Sequence, residues 1–596
     1  MRQQTSTNIG HSLQKHVQNA KQRAGHPISA RNVVLAQPTS TLTGLVARAR
    51  KPLEEALANT DTRHKELVIF FSFTSALERA TVVQFKGNGI DEVWKKLSAW
   101  QQKKFKKSPQ VRWLRIDWVT EKRTLSWADC LAEIQNVKRN YFRYGISVDT
   151  SFRYAFLEQE LNANAMLYLG ATQPKAALNK KNFLSYGLKR YGKHFSLSPD
   201  SDSKALLFTT QAIFVQPDKP HVLLHGYSGG VEGRNTGRRI IEKLDSAQVT
   251  SLIEQSSQFL AEQLDAKGRF IYGMHPCFDR EIKTYNTLRH ASTTYAMLEA
   301  WEVTENTELK SAINRSITYL VEELIRVYTL PNGNKLAYLQ DANNEIKLGG
   351  NSVCLLALVK YTELTKDQQH LSLMEQLAGG IQRMQNKETG QLYHVLNADD
   401  LSIKEEFRII YYDGEAAFGL MRLYGLTKDE RWLQTVEKSF EYFIDKEHWK
   451  IHDHWLSYCV NELTLYRPEE RYYQFGLKNV SGHLSFVMNR ITTFPTLLEL
   501  MMAAHKMITR LQQSEQHRHL LTQLDTDKFY KALEARAHYL LNGFFWPEMA
   551  MYFQNPQRIL GSFFIRHHSF RVRIDDVEHY LSGYVAYLLH YLSKHN

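Results

Sequence analysis

The feature that most constrains the fold is a helix pattern that recurs six times in the last 350 or so residues. The versions are YNTLRHASTTYAMLEAWEVT from Tyr285, LGGNSVCLLALVKYTELT from Leu348, YYDGEAAFGLMRLYGLT from Tyr411, HDHWLSYCVNELTLYR from His452, TTFPTLLELMMAAHKM from Thr492 and IDDVEHYLSGYVAYLLHYL from Ile574. Each starts with a turn or capping residue and continues with small and apolar residues on nearly every face, as a helix buried on both sides requires. Between them lie helical stretches with a clear polar face, Ala247–Leu264, Glu308–Tyr328, Asp367–Gln385, Glu430–Asp445, Glu470–Val487 and Asp527–Leu541. Six buried helices alternating with six amphipathic ones describe an inner ring wrapped by an outer ring. An open solenoid needs more regular spacing and end repeats with one polar face, whereas the last pattern is as apolar as the middle ones. The expected C-terminal fold is therefore an all-α, closed (α/α)6 toroid over residues 246–596.

The rest of the 596-residue chain reads differently. Residues 1–65 are basic and polar, with one amphipathic stretch at Leu42–Leu57, and are expected to be a mostly disordered tail. Residues 66–234 carry short β-rich runs, Leu67–Phe73, Ala80–Phe85, Val111–Val119, Ala205–Val215 and His221–His225, separated by helical stretches at Asp91–Gln102, Trp127–Asn136 and Phe152–Leu167. That alternation predicts an α/β or α+β domain, followed by a linker at 235–245. Two of its segments are more polar than structure alone needs: Lys138–Asp149, KRNYFRYGISVD, and Glu158–Tyr168, EQELNANAMLY. A third, His225–Arg239, is rich in Gly and Arg. Within it Gly226–Gly230 fits GxSxG, but poor helix formers follow, so a nucleophile elbow at Ser228 is disfavoured against a linker or a backbone phosphate cradle.

No apolar run is long enough to span a bilayer, and the four cysteines lack CxxC spacing, so the chain is expected to be cytoplasmic, without disulfides or structural zinc. The formal charge of +13 favours an acidic partner. Much of it sits in the tail, whose alternative role is docking to a membrane surface or a protein; nucleic acid is disfavoured.

Polar residues gather where the inner helices begin. Tyr285, Asn286, Arg289 and His290 open the first; Arg408, Tyr411, Tyr412, Asp413 and Glu415 the third; Asp453, His454 and Trp455 the fourth; Arg566, Arg571, Arg573, Asp575, Asp576 and His579 surround the start of the sixth. With YYDGEAAFGLMRLYGLT as its most telling inner helix, the C-terminal region resembles the (α/α)6-toroid carbohydrate-active superfamily. That group includes inverting glycosidases, unsaturated-glucuronyl hydrolases, N-acylglucosamine 2-epimerases and the helical domain of glucuronyl C5-epimerases. The resemblance implies a site in the funnel at the N-terminal ends of the inner helices, among aromatic residues that stack on sugars.

In a six-membered ring the third and sixth inner helices face each other. Asp413 or Glu415 is then expected opposite Asp575 or Asp576, the arrangement two carboxylates need to act on one glycosidic bond, roughly 6.5–9.5 Å apart in an inverting enzyme. The competing explanation for each acid is helix capping. Epimerisation needs instead a group that removes a proton and another that returns it, for which Tyr285, Tyr412, His290 and His454 are candidates. His452–Trp455, HDHW, has ligand-type residues, but alternate helix positions do not converge, so neither a metal nor another cofactor is expected. Arg289, Arg408, Arg566, Arg571 and Arg573, with Asn286, Asp453, Trp455 and His579, are the expected binding residues, and the arginines favour an anionic saccharide. The function expected is an enzyme of polysaccharide metabolism acting by general acid/base chemistry; the alternative is a non-catalytic glycan- or protein-binding scaffold.

Overall fold

The computed structural model describes residues 39–59, 66–197, 202–227 and 233–593. Its N-terminal half is built on a seven-stranded sheet. The strands are β1 (Leu67–Thr74), β2 (Thr81–Gly87), β3 (Trp113–Ser126), β4 (Gly145–Ser147), β5 (Ala155–Phe156), β6 (Lys204–Val215) and β7 (Val222–Leu224), in the order β2-β1-β3-β6-β4-β5 with β7 also on β6. Every pairing is antiparallel, which selects α+β from the two alternatives.

Strand β1 explains how this sheet is used. Its side chains alternate, as a pleat requires. Leu67, Ile69, Phe71 and Phe73 face a layer formed by the helices Leu42–Ala58 and Ile90–Lys104. Val68 and Phe70 point the other way, into a core that runs without interruption into the helical half. The segment Leu42–Ala58, read from sequence as part of a tail, is thus the outer cover of the sheet over those residues: Leu42, Leu45, Ala49 and Leu53 are buried. The stretch Phe152–Leu167, expected as one helix, is instead β5 followed by the short helix Glu158–Ala163.

The helical half closes on itself. Its inner helices are Thr287–Thr304, Leu348–Thr365, Tyr411–Thr427, His454–Tyr466, Thr496–Gln513 and Ile574–Tyr587, first to sixth. Each packs on the next and the sixth packs on the first, so the ring is an (α/α)6 toroid. The outer helices, first to sixth, are Ser246–Glu262, Thr307–Tyr319, Leu371–Arg383, Glu430–Asp445, Glu470–Ser481 and Thr526–Tyr539. The second is shorter than its apolar pattern, because after a π-turn at Leu320–Leu324 the chain becomes a strand, Ile325–Thr329, paired with Lys335–Leu339. Contacts between the first and sixth inner helices rise together in number, Arg289 with Asp575, Ser292 with Glu578 and Glu299 with Ser582. These helices are therefore parallel, and their N-terminal ends share one mouth. Short antiparallel strands, such as Glu345–Lys347 with Val395–Asn397, and Gly273–His275 with Val572–Arg573, lie just before inner helices at that mouth.

The joining segment is packed rather than free. Gly237 N and Arg238 O exchange backbone hydrogen bonds with His225, and Arg239 forms an ion pair with the buried Glu548 at 2.6 Å.

Candidate active site at the mouth of the ring

Inner helices that are buried all round place their second-turn side chains in the axis of the toroid, where any polar group must find a partner or change its ionisation. Five of the six helices contribute. Arg289 of the first reaches Asp575 of the sixth, Nε to Oδ2 3.3 Å, and keeps about a third of its side chain exposed (32%). Burial lowers the affinity of its guanidinium for a proton, but Asp575, Glu578 and Glu415 outweigh it, so carboxyls of both the third and the sixth helix face this one cation.

Glu415 is buried, and its Oε2 has no hydrogen-bond partner among the described residues. Burial drives its pKa well above the carboxylate range, with Asp453 and Glu578 adding to the shift and Arg289 opposing it. Room for it exists because position 349 is glycine: a Cβ there would overlap both Glu415 Oε2 and the Tyr412 ring. Glu578 accepts a hydrogen bond from Ser292 Oγ at 2.5 Å, and burial pushes its pKa up to about 7. Glu499, on the fifth helix, lies 2.9 Å from His579 Nδ1 and is pushed by burial to about 8. His454, on the fourth, stacks edge-on to His579 at 5.5 Å between centroids, and its Nε2 is buried with no hydrogen-bond partner among the described residues. Tyr411 and Tyr458 lie against the His454 ring. The axis therefore gathers three carboxyl groups whose pKa values burial raises, beside two imidazoles.

His454, Glu499 and His579 also have metal-ligand composition, with ligand atoms within 4.8 Å of one another. Of the HDHW segment only His454 joins them. His452 is turned away, with Nδ1 on Asn479 O and its ring stacked on His483.

Several expected site residues lie elsewhere. Asp413 is not opposed to the sixth helix: its carboxylate sits 3.3 Å from His394 Nε2 and 3.9 Å from His448 Nδ1, between the third inner helix and its flanking loop and outer helix. His290 is fully buried behind the first inner helix, on Tyr285 Oη (2.8 Å) and Ser316 O (3.1 Å), where burial lowers its pKa to about 4. Tyr285 goes with it. Asn286 and Asp453 are N-caps, accepting from Arg289 N and from Trp455 N and Leu456 N. Trp455 is buried against Phe418 and Tyr458. Tyr412 is buried with its ring on His394.

The arginines are mostly engaged. Arg571 holds Asp576 bidentately, Nε to Oδ2 and Nη2 to Oδ1 both 3.0 Å. Arg573 bridges Asp575 (2.7 Å) and Asp576 (3.2 Å). Although burial acts to raise it, the pKa of Asp576 is lowered by these two guanidiniums. Arg408 is spent on Glu345 at 2.8 Å and on Glu405. Arg566 faces the N-terminal domain, with Asn140 and Glu158, and not the axis.

Missing from the sequence-based set are Ser292, Tyr458, Glu499 and Glu578. Ser292, Tyr458 and Glu578 lie more than one turn inside their helices, and Glu499 is at the end of the first turn of its own, all past the N-cap. A lone acidic residue in the apolar run TLLELMM was the available signal, since burying a carboxyl without a purpose is expensive.

This packing defines an (α/α)6 toroid, the architecture that the resemblance implied for the C-terminal region, joined to an α+β domain. No protein-family model matches the chain, and no curated protein matches it. Solved structures to which it is similar include a cellobiose 2-epimerase from Bacillus thermoamylovorans, 13% identical with a TM-score of 0.40, covering 50% of this chain and 88% of that one. A D-mannose isomerase is 12% identical with a TM-score of 0.44, covering 59% and 98%. An unsaturated glucuronyl hydrolase from Streptococcus agalactiae is 12% identical with a TM-score of 0.42, covering 58% and 94%.

Proposed function

We propose that the mouth of the ring is the active site of a carbohydrate-active enzyme that moves protons on an anionic saccharide by general acid/base chemistry. The observation that carries this reading is the convergence of Glu415, Glu499 and Glu578, each with a pKa raised by burial, with His454 and His579 in one buried axis. A general acid needs a pKa near or above the working pH, and a general base needs a free lone pair within reach. His454 Nε2 supplies the second requirement and the glutamic acids the first. Epimerisation is favoured over hydrolysis, because a buried imidazole beside a carboxyl of raised pKa can exchange a carbon-bound proton, whereas the carboxylates at the rim that an inverting glycosidase would use on water, Asp575 and Asp576, are tied to Arg571 and Arg573.

The preference for an anion rests on the charge balance at the rim. Three guanidiniums, Arg289, Arg571 and Arg573, face two aspartates there, Asp575 and Asp576, while burial raises the pKa of Glu415 and of Glu578 behind them. Arg289, partly exposed, is the group that would meet a uronate or phosphate.

The test is incubation in D2O with uronate-bearing and neutral disaccharides, followed by proton NMR. Loss of a sugar C–H signal next to a carboxylate or carbonyl, abolished in Glu578→Gln and His454→Asn, is expected. Reducing ends released without exchange would move the assignment to hydrolysis. Neither change, with or without binding, would leave a scaffold, and equal rates on acidic and neutral sugars would remove the anion preference.

A further inference from the structure

Three polar segments that the axis does not use, Lys138–Asp149, Glu158–Tyr168 and His225–Arg239, each send described residues to one place: Arg143 from the first, Glu158 from the second, Tyr227 and Arg234 from the third. Between the α+β domain and the ring lies a cavity of about 180 Å³, lined by Tyr141, Arg143, Tyr227, Arg234, Tyr539 and Arg566 among others. A narrower void of about 20 Å³ shares Arg143, Asn542 and Arg566 with it and continues to Glu158 and Arg238. The lining comes from both halves of the chain, and its residue types are those that bind phosphate: guanidiniums in a fixed fork, and tyrosines offering a hydroxyl and a face.

The charges there are not balanced. Among the described residues, Glu158 is the carboxylate that these arginines meet, 2.8 Å from Arg143 Nη1 and 3.8 Å from Arg566 Nη1. Arg566 is buried (8% exposed), and burial together with Arg143 pushes its guanidinium down to about 10. Arg143 Nε and Arg238 Nη2 are buried with no hydrogen-bond partner among the described residues. Arg238 rests on Asn542 Oδ1 and on the carbonyl of Arg239. Like charges crowded in a low-dielectric crevice repel one another, and an interface that needed only adhesion would be better served by apolar residues or matched pairs.

We infer that this interdomain cavity is a binding site for a multiply charged oxyanion, a phosphate or the phosphoryl group of a small molecule, distinct from the axis of the ring. A dianion would occupy the space between Arg143, Arg234 and Arg566, neutralise the charge that Glu158 leaves over, and take hydrogen bonds from the guanidiniums. Its volume, at about 30 Å³ per water, is that of some six waters, enough for one phosphoryl group with part of its ester. Because the two halves each supply arginines, occupancy strengthens the contact between them. The inference stands independently of what the axis does.

The experiment is thermal unfolding and calorimetry of the full chain with inorganic phosphate, pyrophosphate, a sugar phosphate and the same sugar without phosphate, all at matched ionic strength. A saturable rise in Tm with the phosphates and none with the bare sugar is expected. Tighter binding of the sugar phosphate than of inorganic phosphate assigns a phosphorylated small molecule, and the reverse assigns the free ion. Arg234→Ala, at a half-buried position, and the charge-retaining Arg566→Lys test the site. Each is expected to weaken binding at least about tenfold, the size of one lost charge-assisted hydrogen bond, while the Tm without phosphate changes little. No saturable shift in the wild type, the same shift with chloride, or undiminished binding in Arg234→Ala would overturn the assignment. So would a fall in the basal Tm of both variants with phosphate binding intact, which is the behaviour of arginines that only hold the halves together.

Discussion

Ser292 Oγ donates to Glu578 Oε2 across 2.5 Å, joining the first and sixth inner helices at the level of the axis. The bond favours the ionised carboxyl and holds the Glu578 pKa, raised by burial to about 7, below where burial alone would put it. Ser292→Ala is therefore expected to move the pKa of Glu578 upward. Whichever limb of the pH–rate profile belongs to this group should move to higher pH, and carbon NMR of labelled glutamate would follow the same titration directly.

Glu499 gives a stability prediction. Its folded pKa of about 8 lies above the 4.5 of a free glutamate side chain, so between those two pH values the folded protein holds a proton that the unfolded chain has released. Stability from this group is present below about pH 4.5 and is lost as pH rises through 8. Chemical denaturation at a series of pH values should show a steeper loss from pH 5 to 8 in the wild type than in Glu499→Gln, which carries no such proton. Parallel curves would contradict the placement of Glu499.

Asp413 and Glu415 stand two residues apart and should behave oppositely. Asp413→Asn disturbs the contacts with His394 and His448, and about 1–3 kcal/mol of stability should go, with activity per folded molecule nearly intact. Glu415→Gln keeps the shape of the side chain, whose pKa burial raises, and removes its titratable proton. Stability should hold while turnover falls roughly 10²–10⁴-fold, the range for loss of a general acid.

Gly349→Ala places a methyl group on Glu415 Oε2 and the Tyr412 ring. Overpacking of this kind costs about 1–3 kcal/mol and here should also displace Glu415, so Tm and activity should fall together. Unchanged activity would mean that Glu415 plays no part in the chemistry.

The ring was legible because its cause is periodic: helices buried on both sides must be apolar all round, and six such stretches were countable. The α+β domain was less so. Antiparallel strands buried on both faces, such as Leu67–Thr74, read as continuous apolar runs, which by themselves do not separate α/β from α+β. For the site, the residues named at the helix starts divide: Arg289, Glu415, His454 and His579 come together in the axis, and others do not. Residues in the first turn are drawn to capping, as Asn286 and Asp453 are, or face outward, as His290 and Asp413 do. Side chains one turn further in reach the axis, and their polarity is diluted in the sequence by apolar neighbours. The arginine surplus was real at the level of composition, yet carboxylates absorb most of it, Glu345, remote in sequence, for Arg408, and Asp576, which the sequence analysis assigned to catalysis, for Arg571.

The connection between the sixth outer and sixth inner helices is gripped by the sheet. Met551 O accepts from Ala80 N, Gln557 N donates to Ala76 O, and Tyr552 Oη donates to Ser72 Oγ at 2.9 Å. The last hairpin thus docks onto a surface that lies hundreds of residues earlier in the chain. During synthesis that surface emerges first and can fold before the ring is complete. The joint that closes the circle is therefore shared: the sixth hairpin is held by its two neighbours in the ring and, from outside the ring, by residues of the sheet and its turns.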